Sequence, residues 1–85
     1  MFIELDTEHG NTIINANHII EIYMDDPEYN NYGFLIDKIN IKLTNGKVYT
    51  QVFKNKDENI CFEQSMGFFD VLRKMLKTLR KEDFL

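Results

Sequence analysis

The clearest hydrophobic pattern in the chain is an alternation of apolar and polar residues on both sides of Asn45-Gly46. Alternation over residues 39–53 is typical of two antiparallel strands with one buried face and one face in water. Asn and Gly tolerate the positive φ that a two-residue type I′ turn needs, so we predict a tight hairpin whose turn sets the register. The predicted cross-strand pairs are Thr44/Lys47 beside the turn, Leu43/Val48, Ile41/Thr50 and Ile39/Val52 on the apolar face, and Lys42/Tyr49 and Asn40/Gln51 on the wet face.

Three further segments before this hairpin have the pattern of strands. Phe2–Asp6 alternates, with its isoleucine and leucine on one face and its two acids on the other. A turn cluster separates it from Thr12–Ala16, which predicts an N-terminal hairpin. His18–Met24 is rich in isoleucine and predicts a third strand. Asp25–Gly33 then breaks the pattern with three acids and the only proline, which predicts a surface loop.

The C-terminal part of the chain has the spacing of an amphipathic helix. Ser65 is the predicted N-cap, and Ile60-Cys61-Phe62 before it is interpreted as a short apolar patch that lies under the sheet edge or in a turn. The predicted inner face carries Phe68, Phe69, Leu72, Met75, Leu76 and Leu79. The predicted outer face carries Asp70, Arg73, Lys74, Lys77 and Lys81.

These elements predict one α+β domain over residues 1–85. Its antiparallel sheet has about four or five strands built on hairpins. The C-terminal helix packs on one face of the sheet, giving two layers over one core.

Composition places this domain inside the cell. Among 85 residues there is one cysteine, which rules out an internal disulfide framework and suits a reducing compartment. No apolar run approaches the length of a membrane span, and the N-terminus lacks the basic start of a signal peptide. We therefore expect a cytoplasmic protein.

Charge is divided unevenly along the chain. Residues 1–37 contain eight acids and no Lys or Arg, whereas residues 38–85 contain all ten bases and the other six acids. The first part therefore carries −8 and the second +4. Such a division bears on partners and association rather than on the fold.

No catalytic or metal-binding motif stands out. His9 and His18 have no spacing that suggests a zinc site. Cys61 lies between two apolar residues, where a structural thiol is commoner than a nucleophile. The acids near Pro27 lack the EF-hand spacing of calcium ligands. We predict a protein that is not an enzyme and holds no cofactor or metal.

Two charged surfaces are candidates for partner binding. The basic face of the predicted helix is diluted by acids such as Asp70, Glu82 and Asp83, so direct binding of nucleic acid or a membrane is not expected. The acidic first half suits a protein partner with a basic surface, and its tyrosines are typical interface anchors. The predicted partner-binding residues are Glu4, Asp6, Asp25, Asp26, Glu28, Tyr29 and Tyr32. Monomer and two-fold homodimer stay open, because an unprotected sheet edge can pair with its copy.

About half the chain resembles the small flagellar FlbD/SwrD-like proteins. The resemblance lies in Ile3-Glu4-Leu5, Gly10, Ile14-Asn15 and Ile19/Ile22, and in residues 41–49 with Val52. The long Asp25–Gly33 and Lys54–Gln64 segments depart from that family. The resemblance implies a short β-rich body ending in one helix, and a non-enzymatic adaptor or regulator.

A second interpretation rests on composition alone. Small acidic chains rich in Asn, Ile and Lys resemble accessory proteins of phages and mobile elements. Acids spaced along a twisted strand can imitate a track of phosphates. The alternative function is therefore an inhibitor that occupies the basic groove of a host nuclease or another nucleic-acid-binding protein.

Overall fold

The computed structural model describes residues 1–7 and 9–79. It has the predicted α+β class, with antiparallel strands and one C-terminal helix packed against them. The strands form one two-stranded and one four-stranded sheet. In chain order the elements are β1 (Phe2–Thr7), β2 (Gly10–Asn15), a 3₁₀ turn (Ala16–His18), β3 (Ile19–Met24), β4 (Glu28–Tyr29), β5 (Leu35–Leu43), β6 (Val48–Asn55) and α1 (Glu58–Leu79).

The four-stranded sheet is built around β5. On one side β6 pairs with β5 along eight residues, and on the other side β3 and β4 pair with its two ends. Because a strand has only two edges, β3 and β4 lie end to end along one of them. The predicted loop Asp25–Gly33 therefore contains a short strand, since the chain rejoins the edge of β5 once it has passed Pro27.

One hydrophobic cluster joins both sheets to α1. The alternate residues of β5 that face α1 are buried, and the helix covers them with Leu72 and Leu76. The remaining apolar residues of the predicted inner helix face are half-buried against this cluster. The small sheet contributes Ile3, Leu5 and Ile14. The N-terminal hairpin and the predicted covering role of the helix are both confirmed.

The helix begins eight residues before the predicted start. The Asp57 carboxylate accepts hydrogen bonds from the backbone N–H groups of Asn59 (2.9 Å) and Ile60 (3.2 Å), which is the N-cap arrangement. Ser65 is therefore not the N-cap. The Ile60-Cys61-Phe62 patch belongs to the first turns of α1 and is not a separate segment.

The turn between β5 and β6 is not type I′. The Gly46 N–H donates to the Leu43 carbonyl and the Leu43 N–H donates to the Lys47 carbonyl, each at 2.9 Å, which closes a three-residue loop. Gly46 has φ +85°, but no non-glycine residue in the described part of the chain has positive φ, so Asn45 does not meet the type I′ requirement. The arrangement is a type I turn followed by a glycine bulge.

The extra loop residue shifts the pairing of β6 by one position, and the predicted register is wrong. Val48 and Val52 oppose Lys42 and Lys38 on the outer face, and Val48 is 45% exposed. Gln51 lies on the core face and is buried. The sequence pattern did not decide the register because both faces of β6 hold apolar residues. The outer face has Val48, Thr50 and Val52, and the core face has Tyr49, Gln51 and Phe53.

Candidate functional site

The hairpin between β4 and β5, together with the segment between β3 and β4 that leads into it, presents most of the predicted partner-binding residues. Its tip is another three-residue loop, in which the Asn30 N–H donates to the Phe34 carbonyl (3.0 Å) and the Gly33 N–H donates to the Asn30 carbonyl (3.2 Å). Gly33 has φ +80°, which favours glycine. The Asn30 side chain also accepts hydrogen bonds from the backbone N–H groups of Tyr32 (2.9 Å) and Phe34 (3.0 Å). The tip is therefore held by its own backbone and by one asparagine.

Two tyrosines are exposed on this hairpin. Tyr32 is 80% exposed and Tyr29 is 60% exposed. The Tyr29 hydroxyl donates to the Glu58 carboxylate in the first turn of α1, which ties the hairpin to the helix. We call Asp25, Asp26, Glu28, Tyr29 and Tyr32 together the acid–tyrosine surface.

The three acids of the acid–tyrosine surface differ in their surroundings. Asp25 accepts a hydrogen bond from the Asn40 amide nitrogen (2.9 Å), so it also fastens the edge of the sheet. Glu28 forms an ion pair with Lys38, with 3.4 Å between the charged atoms. Asp26 is exposed and makes no hydrogen bond or ion pair with a described residue. Asp26 is thus the acid best placed to meet a partner without loss to the fold.

The division of charge along the chain is not a division in space. Besides Lys38, the amino groups of Lys54 and Lys56 lie 5.0 and 5.3 Å from the ring centroid of Phe34, next to the hairpin tip. The pairing of β4 with β5 brings Lys38 to this surface, and the pairing of β6 with β5 brings Lys54 towards the hairpin tip, with Lys56 just after the end of β6. The field at this surface is consequently mixed rather than wholly negative.

Glu4 and Asp6 lie on a different surface. Both are exposed on the outer face of β1. β1 packs against β6, which pairs with one edge of β5, whereas the acid–tyrosine surface lies along the other edge of β5. The Asp6 backbone N–H donates to the Gln51 side-chain oxygen (2.7 Å), which joins the two sheets. The structure therefore places the predicted partner-binding residues on two separate surfaces.

The helix outer face is basic, as predicted, but partly neutralised. Asp70 pairs with Arg73 (2.6 Å) and with Lys74 (3.1 Å), and hydrogen bonds from Lys74 and then Arg73 lower the pKa of Asp70. Lys77 is exposed further along the helix. A shallow hollow of about 390 Å³ on this side is lined by Met66, Gly67, Phe69, Asp70 and Arg73. Five of the charged residues counted along the sequence lie outside the described residues: Glu8, Arg80, Lys81, Glu82 and Asp83.

A buried polar cluster of Asp37, Cys61 and Ser65 was missed at the sequence level. Ser65 donates to one carboxylate oxygen of Asp37 (2.5 Å), and the other oxygen is buried with no hydrogen-bond partner. The Cys61 thiol lies 3.6 Å from the Leu35 and Phe53 carbonyl oxygens. The signal was available, since Asp37 occupies a core position in the β5 alternation and Cys61 and Ser65 extend the Leu72 stripe backwards by helical steps.

This cluster has the character of a structural site rather than a nucleophilic one. Burial, and after it the charge of Asp37, raises the pKa of the Cys61 thiol. A raised pKa keeps the thiol protonated, and the thiolate is the reactive form. Neither His9 nor His18 belongs to this cluster, and no group of three or more His, Cys, Asp or Glu among residues 1–7 and 9–79 is arranged to hold a metal ion.

Comparison with known proteins supplies no further assignment. No family model, no curated protein and no solved structure matches this chain. The likeness to FlbD/SwrD-like proteins therefore stays a prediction. Within the described residues, no helix has both the length and the apolar character needed to cross a membrane.

Proposed function

We propose that this protein is a small non-catalytic binding module whose acid–tyrosine surface holds a protein partner with a basic surface. The observation that carries the proposal is the exposure of Tyr29 and Tyr32 on a hairpin whose tip is held by Asn30. Tyrosine is among the residues that supply most binding energy at interfaces. A side chain presented on an ordered loop loses little conformational entropy when a partner arrives.

The acids add direction to this surface. Asp26 is exposed, and Glu28 has only one oxygen engaged with Lys38 in the ion pair, so both can attract a cationic partner. Such attraction speeds association and is screened by salt, with a Debye length of about 8 Å at physiological ionic strength. The lysines close to Phe34 restrict the match, because a partner must place its bases towards Asp26 and away from Lys54 and Lys56.

The first role we propose is a cytoplasmic adaptor or regulator of FlbD-like type. The alternative is a mobile-element inhibitor that occupies a basic groove of a nuclease or another nucleic-acid-binding protein. Genomic neighbourhood distinguishes them, since flagellar genes favour the first and prophage genes the second. Both roles use the same surface, so one binding experiment tests them together.

The test compares two matched double variants in a pull-down from the source cells. Asp26→Lys/Tyr32→Ala changes one exposed acid and one exposed apolar residue of the acid–tyrosine surface. Glu63→Lys/Val71→Ala makes the same kinds of change on the exposed side of α1. Both leave the core untouched, so circular dichroism should show the same fold and melting for each.

We expect proteins recovered with the unmodified chain to be lost with Asp26→Lys/Tyr32→Ala and kept with Glu63→Lys/Val71→Ala. Association with a recovered partner should slow as salt rises. The opposite result, loss only with the helix variant, would move the binding site to the basic face of α1. Recovery of nucleic acid in place of protein would overturn the proposal.

A further inference from the structure

The open strand edges of this fold differ in charge. The edge formed by β3 and β4 carries Glu21 and Glu28, with Pro27 between the strands, and the β6 edge carries Lys54. Charged residues and prolines are the usual devices that prevent edge-to-edge pairing. β2, Gly10–Asn15, contains neither a charged residue nor a proline, and it is hydrogen-bonded to no strand other than β1. β2 is therefore the unprotected edge.

The groups that β2 directs outwards follow from its pairing with β1. The Ala16 N–H donates to the Met1 carbonyl (2.8 Å), and the Asp6 N–H points away from β2 to Gln51. In an antiparallel pair, residues alternate between those bonded to the partner strand and those directed away from it. With Asp6 opposite Asn11, the backbone groups directed away from β1 are those of Asn11, Ile13 and Asn15.

These three residues read the same in both directions. Asparagine, isoleucine and asparagine at alternate positions are symmetric about Ile13. When two such strands pair antiparallel about a two-fold axis at Ile13, each isoleucine meets its own copy and Asn11 meets Asn15. The side chain of Ile13 is 68% exposed, although it is large and apolar.

We infer that β2 is a self-association site, and that two copies of this chain pair β2 to β2 about a two-fold axis at Ile13. The pairing joins two small sheets into one of four strands in the order β1-β2-β2-β1. It gives partners to the outward N–H groups of Asn11, Ile13 and Asn15 and to the outward C=O groups of Asn11 and Ile13 on both copies, and it partly shields the Ile13 side chains from water. The Asn15 C=O already accepts a hydrogen bond within the 3₁₀ turn. This interface is separate from the acid–tyrosine surface and does not depend on it.

Electrostatics permits this pairing. β2 is uncharged, and the acids that lie opposite it on β1 are Glu4, across from Ile13, and Asp6, across from Asn11. Neighbouring strands are about 4.8 Å apart, so the two Glu4 positions would be roughly 14 Å apart, beyond the Debye length of about 8 Å. Six residues a side bury less than the roughly 800 Å² per partner of a standard interface, so we expect a weak dimer.

The experiment measures mass by light scattering between about 10 µM and about 1 mM, because a weak dimer forms by mass action. Three chains are compared: the unmodified protein, Ile13→Lys, and the control Val71→Lys on α1, where the replaced valine is 59% exposed. Two lysines facing each other repel, so Ile13→Lys should weaken dimerisation by about tenfold or more. The control should dimerise like the unmodified chain, and Asp26→Lys/Tyr32→Ala should as well.

Amide hydrogen exchange on the unmodified protein tests the same site without a mutation. As concentration rises, the outward Ile13 amide should gain protection, whereas the Ile14 amide, which faces β1, should change little. A protein that stays monomeric over the whole range overturns the inference. So does a dimer that survives Ile13→Lys, because another edge then forms it.

Discussion

Ser65, in the first half of α1, donates a 2.5 Å hydrogen bond to Asp37, near the start of β5. Both residues are fully or almost fully buried, and the second carboxylate oxygen of Asp37 has no partner. A buried polar group that loses its hydrogen bond is costly. The first half of α1 therefore covers a polar part of the core, while its second half covers the apolar part with Leu72 and Leu76.

This relationship predicts the effect of removing one hydroxyl. Ser65→Ala should lower the free energy of unfolding by about 1–3 kcal/mol, because Asp37 loses its hydrogen-bond donor while it stays buried. Urea unfolding measures the change. Thr78→Ala removes an exposed hydroxyl of the same helix and should change stability by less than about 0.5 kcal/mol.

Asp37→Asn supplies the complementary measurement. The amide oxygen can still accept from Ser65, and the side chain no longer carries a charge that burial penalises. We therefore expect Asp37→Asn to cost less than Ser65→Ala. Equal effects of Ser65→Ala and Thr78→Ala would show that the hydrogen bond contributes nothing.

The register of β6 is tested at Gln51. In the structure its side chain accepts from the Asp6 N–H, so Gln51→Ala should cost about 1–3 kcal/mol and speed hydrogen exchange of the Asp6 amide. Val48→Ala, on the outer face, should cost less than about 0.5 kcal/mol in the same unfolding experiment. The register expected from the sequence alone requires the reverse order.

The cover that α1 gives to the sheet is tested at Leu72. Leu72→Ala leaves a cavity in the core and should cost about 2–5 kcal/mol. Val71, the adjacent residue, points to solvent, so Val71→Ala should have little effect on the urea midpoint. A decrease of less than about 1 kcal/mol in the free energy of unfolding of Leu72→Ala would contradict the burial of this side chain under the helix.

The buried thiol predicts a pH dependence of stability at alkaline pH. The pKa of Cys61 is raised in the folded state above its ordinary value of 9.0, so the folded chain holds this proton more tightly than the unfolded chain. The contribution is fully present below pH 9.0 and is lost as pH rises through the folded-state pKa. Above pH 9.0, the free energy of unfolding of the unmodified protein should therefore fall more steeply with pH than that of Cys61→Ala. Parallel curves for the two chains would contradict the assignment.

Local pattern in the sequence predicted most of the elements of this fold. The alternation in Phe2–Asp6, the isoleucine-rich third strand and the helical spacing from Phe68 to Leu79 all correspond to elements of the structure. These features depend on near neighbours along the chain, where the side-chain period identifies the element. The acid–tyrosine surface could also be predicted from local sequence, because acids and tyrosines beside a proline favour an exposed segment.

The sequence by itself determined the class of the fold, the order of its elements apart from the short strand β4, and the exposure of Tyr29 and Tyr32. Only the tertiary structure decided the register of β6, because either of its faces can be buried and one loop residue selects between them. Only it decided that Lys38, Lys54 and Lys56 approach the acid–tyrosine surface and that Glu4 and Asp6 lie elsewhere. Pairing between strands that are distant along the chain sets the distances between these charged residues. The number of residues that separate two charges in the sequence does not predict those distances.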